Sequence, residues 1–124
     1  MGMKDVWKKV RSLCKRGRQT LVITPNRNYM VELVAHAFED GDARRMENKG
    51  LFCIQLAYPA HNVKVLVGNH QAADLVCRVK EQLMGRRDQD IVIVDPIAMG
   101  AALKHELQCL AATYEAKFTI VVDK

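Results

Sequence analysis

Apolar residues recur along this chain in two rhythms. One repeats every three to four residues, roughly the pitch of a helix; the other packs short unbroken runs that read as buried strands. The clearest run is Ile91-Val92-Ile93-Val94, bounded by Asp88-Gln89-Asp90 before and Asp95-Pro96 after. A strand with one wet face would alternate apolar and polar residues. This run therefore predicts a strand buried on both faces, as inside a parallel sheet. Pro96 withholds an N–H and stops the ladder, leaving Asp95 at the strand's C-terminal end.

The other elements follow in order. Met3, Val6, Trp7, Val10, Leu13 and Cys14 share one face of a helix over about 3–16, with Gly17 placed as its stop. Thr20-Leu21-Val22-Ile23-Thr24 predicts the first strand, closed by Pro25; Asn26 or Asn28 can cap a helix over roughly 28–39. Residues 40–50 are the most polar stretch and predict a long loop or frayed helical extension, the most mobile segment. Residues 51–57 and 63–67 predict two strands whose short connection permits a hairpin and not a parallel crossover. After Gly68-Asn69-His70-Gln71, the residues Ala72, Leu75, Val76, Val79 and Leu83 lie on one helical face, with Gly85 as the stop. Residues 97–113 predict the most apolar helix, and 118–122 the last strand.

Strands alternating with helices mean a mostly parallel sheet with helices on both faces. The expected fold is a three-layer α/β/α sandwich of Rossmann-like plan. Its mostly parallel sheet has five strands, with one antiparallel edge hairpin. At 124 residues the chain fits a single α/β domain, residues 1–124. Hydrophobic residues at 49% and charged residues at 27% place it among globular proteins and not disordered ones. No apolar run is long enough to span a bilayer, and residues 1–18 lack the pattern of a secretion signal. An intracellular, cytoplasmic protein is expected.

Charge changes this picture. Residues 1–18 hold seven basic residues against the single acid Asp5, a local charge of +6, whereas the remainder holds twelve basic and thirteen acidic residues. A cationic amphipathic helix can cover a core, lie on a membrane surface or enter a partner's groove. Covering the core with the apolar face is the expectation. The basic face then becomes an attachment surface for polyanions. The phosphate-contacting candidates are Lys8, Lys9, Arg11, Lys15, Arg16 and Arg18, with Arg27 beside the first strand. Arg44, Arg45, Arg86 and Arg87 would extend the patch if they lie nearby.

A second candidate site follows from the sheet. Aligned parallel strands bring their C-terminal loops to one edge, where open α/β sheets bind ligands. That edge would gather Asn26, Asn28, Asn69, His70 and Asp95, with Thr24 and Arg27 close by. Arg27 could take a phosphate, Asp95 a metal or a ribose hydroxyl, and His70 could act as an acid or base. The plainer roles are helix caps for the asparagines, an Asp-Pro turn for Asp95 and a surface position for His70. Cys14, Cys53, Cys77 and Cys109 are irregularly spaced and form no CxxC, so reduced and mostly buried thiols are expected. A Cys–His pair could assemble from Cys53 or Cys109 and a distant histidine, but burial in apolar runs points to inert thiols.

Thr20-Leu21-Val22-Ile23-Thr24-Pro25-Asn26-Arg27 and Ile91-Val92-Ile93-Val94-Asp95 resemble strand motifs of RecA-like helicase and packaging-ATPase cores. There an apolar strand ends in a threonine-proline turn, and another ends in the magnesium-binding aspartate. The resemblance covers about a dozen residues and is of a kind frequent in α/β proteins. The GxxxxGK[ST] phosphate loop is absent from the chain, and Pro96 stands where an acidic residue usually follows the aspartate. ATP hydrolysis by this chain alone is not expected. Nucleophile-elbow, GxGxxG and HExxH motifs are absent as well. No catalytic set, metal or cofactor is therefore expected. The leading expectation is a non-catalytic nucleic-acid-associated or regulatory binding module. One alternative is a protein–protein or homo-oligomeric module using the Trp7 face or the hairpin edge. The other is a small nucleotide-binding protein or enzyme working at the strand ends.

Overall fold

The computed structural model describes residues 2–39, 45–48, 53–58, 63–71, 74–86, 88–95, 97 and 99–122. The chain runs through α1 (Met3–Leu13), β1 (Gln19–Thr24), α2 (Arg27–Glu39), β2 (Arg45–Asn48), β3 (Cys53–Tyr58), β4 (Val63–Asn69), α3 (Leu75–Leu83), β5 (Gln89–Val94), α4 (Ala101–Thr113) and β6 (Lys117–Val121). The sheet order is β2-β3-β4-β1-β5-β6. β1 pairs in parallel with β4 and β5, and β6 pairs in parallel with β5. β3 pairs antiparallel with β4, and β2 antiparallel with β3. The fold is α/β, with a four-stranded parallel sheet and four helices among the described residues.

The run at the centre of the sequence behaves as its composition requires. β5 is buried at every position. Ile91 and Ile93 join one core cluster, with Leu21 and Ile23 of β1 and the buried faces of α3 and α4. Val92 and Val94 join the other, with Val22, Val65, Val67 and Val121, against Val6, Trp7 and Val10 of α1 and Met30, Leu33, Val34 and Ala37 of α2. The bulky Trp7, Met30 and Leu33 thus meet a sheet face made of valines, a division of volume that dense packing demands.

Several expectations need correction. Among the described residues the sheet has six strands, not five: Arg45–Asn48, expected to be loop or frayed helix, is β2. An edge strand has a row of unpaired backbone groups and is commonly charged, so its sequence carries no apolar signal. The rest of that polar stretch, residues 40–44 and 49–50, lies outside the described residues, as do Leu51, Phe52 and Ala72. α1 ends at Leu13, earlier than expected, with Cys14 already extended. Gly17, at φ 77°, serves the turn that follows, in which the Arg18 N–H donates to the Lys15 carbonyl at 3.1 Å. α4 starts at Ala101, and only Leu107 and Ala111 of it are buried. Its many alanines carry helix propensity without needing burial.

Candidate functional site

α1 separates its two chemistries cleanly. Val6, Trp7 and Val10 are buried, and the helix packs on α2 and touches β6. Trp7, only 1% exposed, is core; its face cannot serve the docking role considered for it. On the outside, Lys4, Lys8, Lys9, Lys15 and Arg16 are exposed. Among the described residues none of these five makes an ion pair. Arg11 is half-buried and engaged with a partner.

Arg18 leaves the predicted phosphate-contacting set. Its Nε donates to both carboxylate oxygens of Asp90, at 3.1 and 3.0 Å, and its Nη2 to Asp90 Oδ1 at 2.8 Å and to the Gln89 carbonyl at 3.1 Å. The hydrogen bond to Asp90 raises the Arg18 pKa above its ordinary value, against the opposing effect of burial. A guanidinium committed in this way to a carboxylate 6% exposed has no fork left for a phosphate. Arg27 is exposed at the first turn of α2. Arg86 is exposed but spends an Nη1 proton on Gln19 Oε1 at 2.8 Å, at the N-terminal end of the sheet. Arg44 and Arg87 lie outside the described residues.

The C-terminal edge of the parallel strands does gather the expected loops. The register sets Thr24 opposite Asn69 and Ile23 opposite Ile93, so the ends of β4, β1 and β5 are level. Thr24, fully buried, donates its hydroxyl proton to the Gly68 carbonyl at 2.6 Å, and its carbonyl accepts the His70 N–H at 3.0 Å. Asn26 is the cap of α2: its Oδ1 accepts the Tyr29 N–H at 2.8 Å. Asn28 is exposed, and Asn69, 5% exposed, is held within the protein.

Two groups on this edge stand apart. Asp95 adopts φ 47°, a left-handed backbone that a non-glycine residue rarely takes. Its N–H donates to the Val121 carbonyl at 2.8 Å, while its buried Oδ1 has no hydrogen-bond partner. His70 Nε2 is likewise buried without a partner, and burial lowers the His70 pKa below its ordinary value. β4, β1 and β5 are adjacent, so these two residues flank the β1 loop across two strand spacings, about 10 Å. Chemically, the pair offers a carboxylate acceptor and a neutral imidazole on either side of a closed threonine turn.

The cysteines also depart from expectation. Cys14 is buried, but Cys77 and Cys109 are exposed free thiols. Cys109 Sγ lies 3.5 Å from His105 Nε2, one helical turn earlier, so the histidine is a near neighbour in sequence and not a distant one. The sequence reading passed over Gln19 and Gln89, both buried at the N-terminal ends of apolar strands. The available signal was a polar residue leading each run.

No family model matches the chain, and no curated protein matches it. Among solved structures the chain is similar to the large terminase ATPase domain of a Thermus phage, with a TM-score of 0.46 and 8% identity, over 94% of this chain and 51% of that one. An arginine-to-alanine variant of the same domain gives the same figures. The chain thus spans about half the length of the solved domain it matches. Among the described residues no helix is long and apolar enough to cross a membrane.

Proposed function

We propose that this chain is a non-catalytic nucleic-acid-associated binding module, a three-layer α/β/α sandwich that attaches to polyanions through the outer face of α1. The observation that carries this reading is the division of that helix. Its apolar side is spent on the core, while Lys4, Lys8, Lys9, Lys15 and Arg16 are exposed and without ion pairs among the described residues. Such a face binds phosphates through counterion release, without reading bases. The test is a salt titration of duplex and single-stranded binding for the parent and a variant with Lys8, Lys9, Lys15 and Arg16 replaced by Gln. Affinity of the parent should fall steeply with salt, and the variant should show a flatter slope on every sequence. No binding at low salt, or equal slopes, would overturn the reading.

A second reading, a small nucleotide-binding protein with its site at the strand ends, is favoured by Asp95. A non-glycine residue in the left-handed region with a buried, unpartnered carboxylate oxygen is the kind of local strain that collects at ligand sites. A thermal-shift screen of nucleotides with and without magnesium checks it. A stabilisation lost in Asp95→Asn supports the second reading, and its absence removes it.

A further inference from the structure

The two edges of the sheet are built differently. β2, at one end, is Arg45-Met46-Glu47-Asn48, a short charged strand of the kind that resists further pairing. β6, at the other, is Lys117-Phe118-Thr119-Ile120-Val121, followed by Val122. It has no proline, its only charge is Lys117 at its start, and its register with β5 runs without a bulge from Lys117 to Val121. Among the described residues no strand pairs with its outer side. Such an edge is a template for another strand.

The backbone shows which groups are free. The Asp95 N–H donates to the Val121 carbonyl at 2.8 Å, so the polar groups of Val121 face β5. In a ladder, a residue sends its N–H and C=O to the same side, and its two neighbours send theirs to the other. Thr119 therefore faces β5 as Val121 does, whereas Phe118, Ile120 and Val122 point theirs outward. The side chains of these same three residues share one face, that of α4, where Phe118 packs on the core cluster of Leu107 and Ala111. Ile120 and Val122 are 39% and 37% exposed. α4 touches β6, and of its many alanines and leucines it buries only Leu107 and Ala111.

We propose that β6 pairs antiparallel with β6 of a second copy of this chain, about a two-fold axis at Ile120, joining the two sheets into one. The sequence around this strand is self-complementary in that register. Ile120 meets Ile120 of the second copy and Phe118 meets Val122; all three carry outward backbone groups, so they form the bonded pairs of the ladder. Between them Thr119 meets Val121, and beyond them Lys117 meets Asp123, opposite charges on the same face. Asp123 enters here from the sequence alone, because it lies outside the described residues. Neighbouring registers fail. An axis at Thr119 sets Lys117 against Val121, and an axis at Val121 sets Phe118 against Lys124, with no opposite charge in either. A strand from an unrelated protein has no cause to match this symmetry, and a two-fold dimer closes the edge without growing into a fibre. The axis stands perpendicular to the joined sheet, so both copies of α1 lie on one face. On the proposed attachment to polyanions, the dimer doubles the phosphate contacts. That consequence rests on the attachment; the dimer does not.

The test is sedimentation of the parent over a range of concentrations, without nucleic acid, beside amide hydrogen exchange. The parent should form a dimer. Ile120→Lys, which changes only a side chain at the open edge, should remain a monomer with the parent's circular dichroism. Lys117→Asp or Asp123→Lys alone should weaken dimerisation by about tenfold, since the symmetry repeats the pair, and the two together should restore it. In the parent, the Phe118, Ile120 and Val122 amides should gain protection as concentration rises, while those of Thr119 and Val121, bonded to β5, are protected throughout. Melts run below the dimer's dissociation constant keep the stability of Ile120 variants separate from this effect. A parent that stays a monomer, a dimer that survives Ile120→Lys, a charge exchange that restores nothing, or outer amides whose protection ignores concentration would each overturn the proposal. The dimer is read without nucleic acid and the salt slope with it, so failure of one is distinct from failure of the other.

Discussion

Arg18 and Asp90 lock the start of β1 to the start of β5: Nε reaches both carboxylate oxygens at 3.1 and 3.0 Å, and Nη2 reaches Oδ1 at 2.8 Å. Asp90 is 5% exposed, so little solvent can replace this partner. Breaking a buried pair from one side costs more than the pair is worth, because the surviving charge is stranded. Arg18 is partly exposed and water can reach the gap. The expected loss for Arg18→Met is therefore about 2 kcal/mol, below the range for fully buried pairs. Urea melts should show it, and adding Asp90→Asn should recover part of it. Recovery of nothing would mean that Arg18 acts through packing alone.

His70 gives the protein a pH dependence of defined sign. Burial lowers its pKa in the folded state below the ordinary 6.5. The unfolded chain then binds a proton that the folded chain refuses, so stability rises with pH through this window. The contribution is complete above about 6.5 and is lost as pH falls through the lowered folded value. His70→Gln should flatten the pH profile of stability between that value and neutrality. An unchanged profile would place the dependence on another group.

Much of the fold was legible because burial on two faces leaves an unbroken apolar run, and Ile91–Val94 has one. Phe118-Thr119-Ile120-Val121-Val122 is almost as apolar, yet β6 is the last strand of the sheet, with Ile120 39% exposed. A local run states how apolar a strand is, not how many neighbours it has. β2 escaped for the converse reason, as Arg45-Met46-Glu47-Asn48 has no apolar pattern to find. At the candidate sites, the Asn26 cap was readable because its partner is three residues away. The Arg18–Asp90 pair spans 72 residues and arises only when β1 and β5 meet. The same holds for Gln89, whose polarity looked like the edge of a loop until the strand pairing buried it.

The difference between β5 and β6 gives a direct comparison. Val92→Asp places a carboxylate where the side chain is 1% exposed, with valines and Trp7 in the same cluster. The cost is several kcal/mol, about the whole stability of a small domain. Ile120→Asp sits on the exposed edge and should cost about 1 kcal/mol or less. Circular dichroism and urea melts of the two variants check both. A stable Val92→Asp protein would mean that β5 is not an interior strand.

The last prediction separates the two faces of α1. Trp7 is buried beside α2, and Trp7→Ala leaves a large cavity that neighbouring valines cannot fill. The expected loss is about 3–5 kcal/mol, enough to unfold a marginal protein. Lys8, Lys9, Lys15 and Arg16 are exposed, and each replacement by Gln should change stability by no more than about 0.5 kcal/mol. In phosphate binding the effects should invert. The four-Gln variant loses salt-sensitive affinity while its melt stays near that of the parent. A milder core change, Val10→Ala, should lower the melt and leave the salt slope of the folded protein untouched. If Val10→Ala flattens the slope, or the four-Gln variant unfolds, then charge and packing are not divided between the faces of this helix.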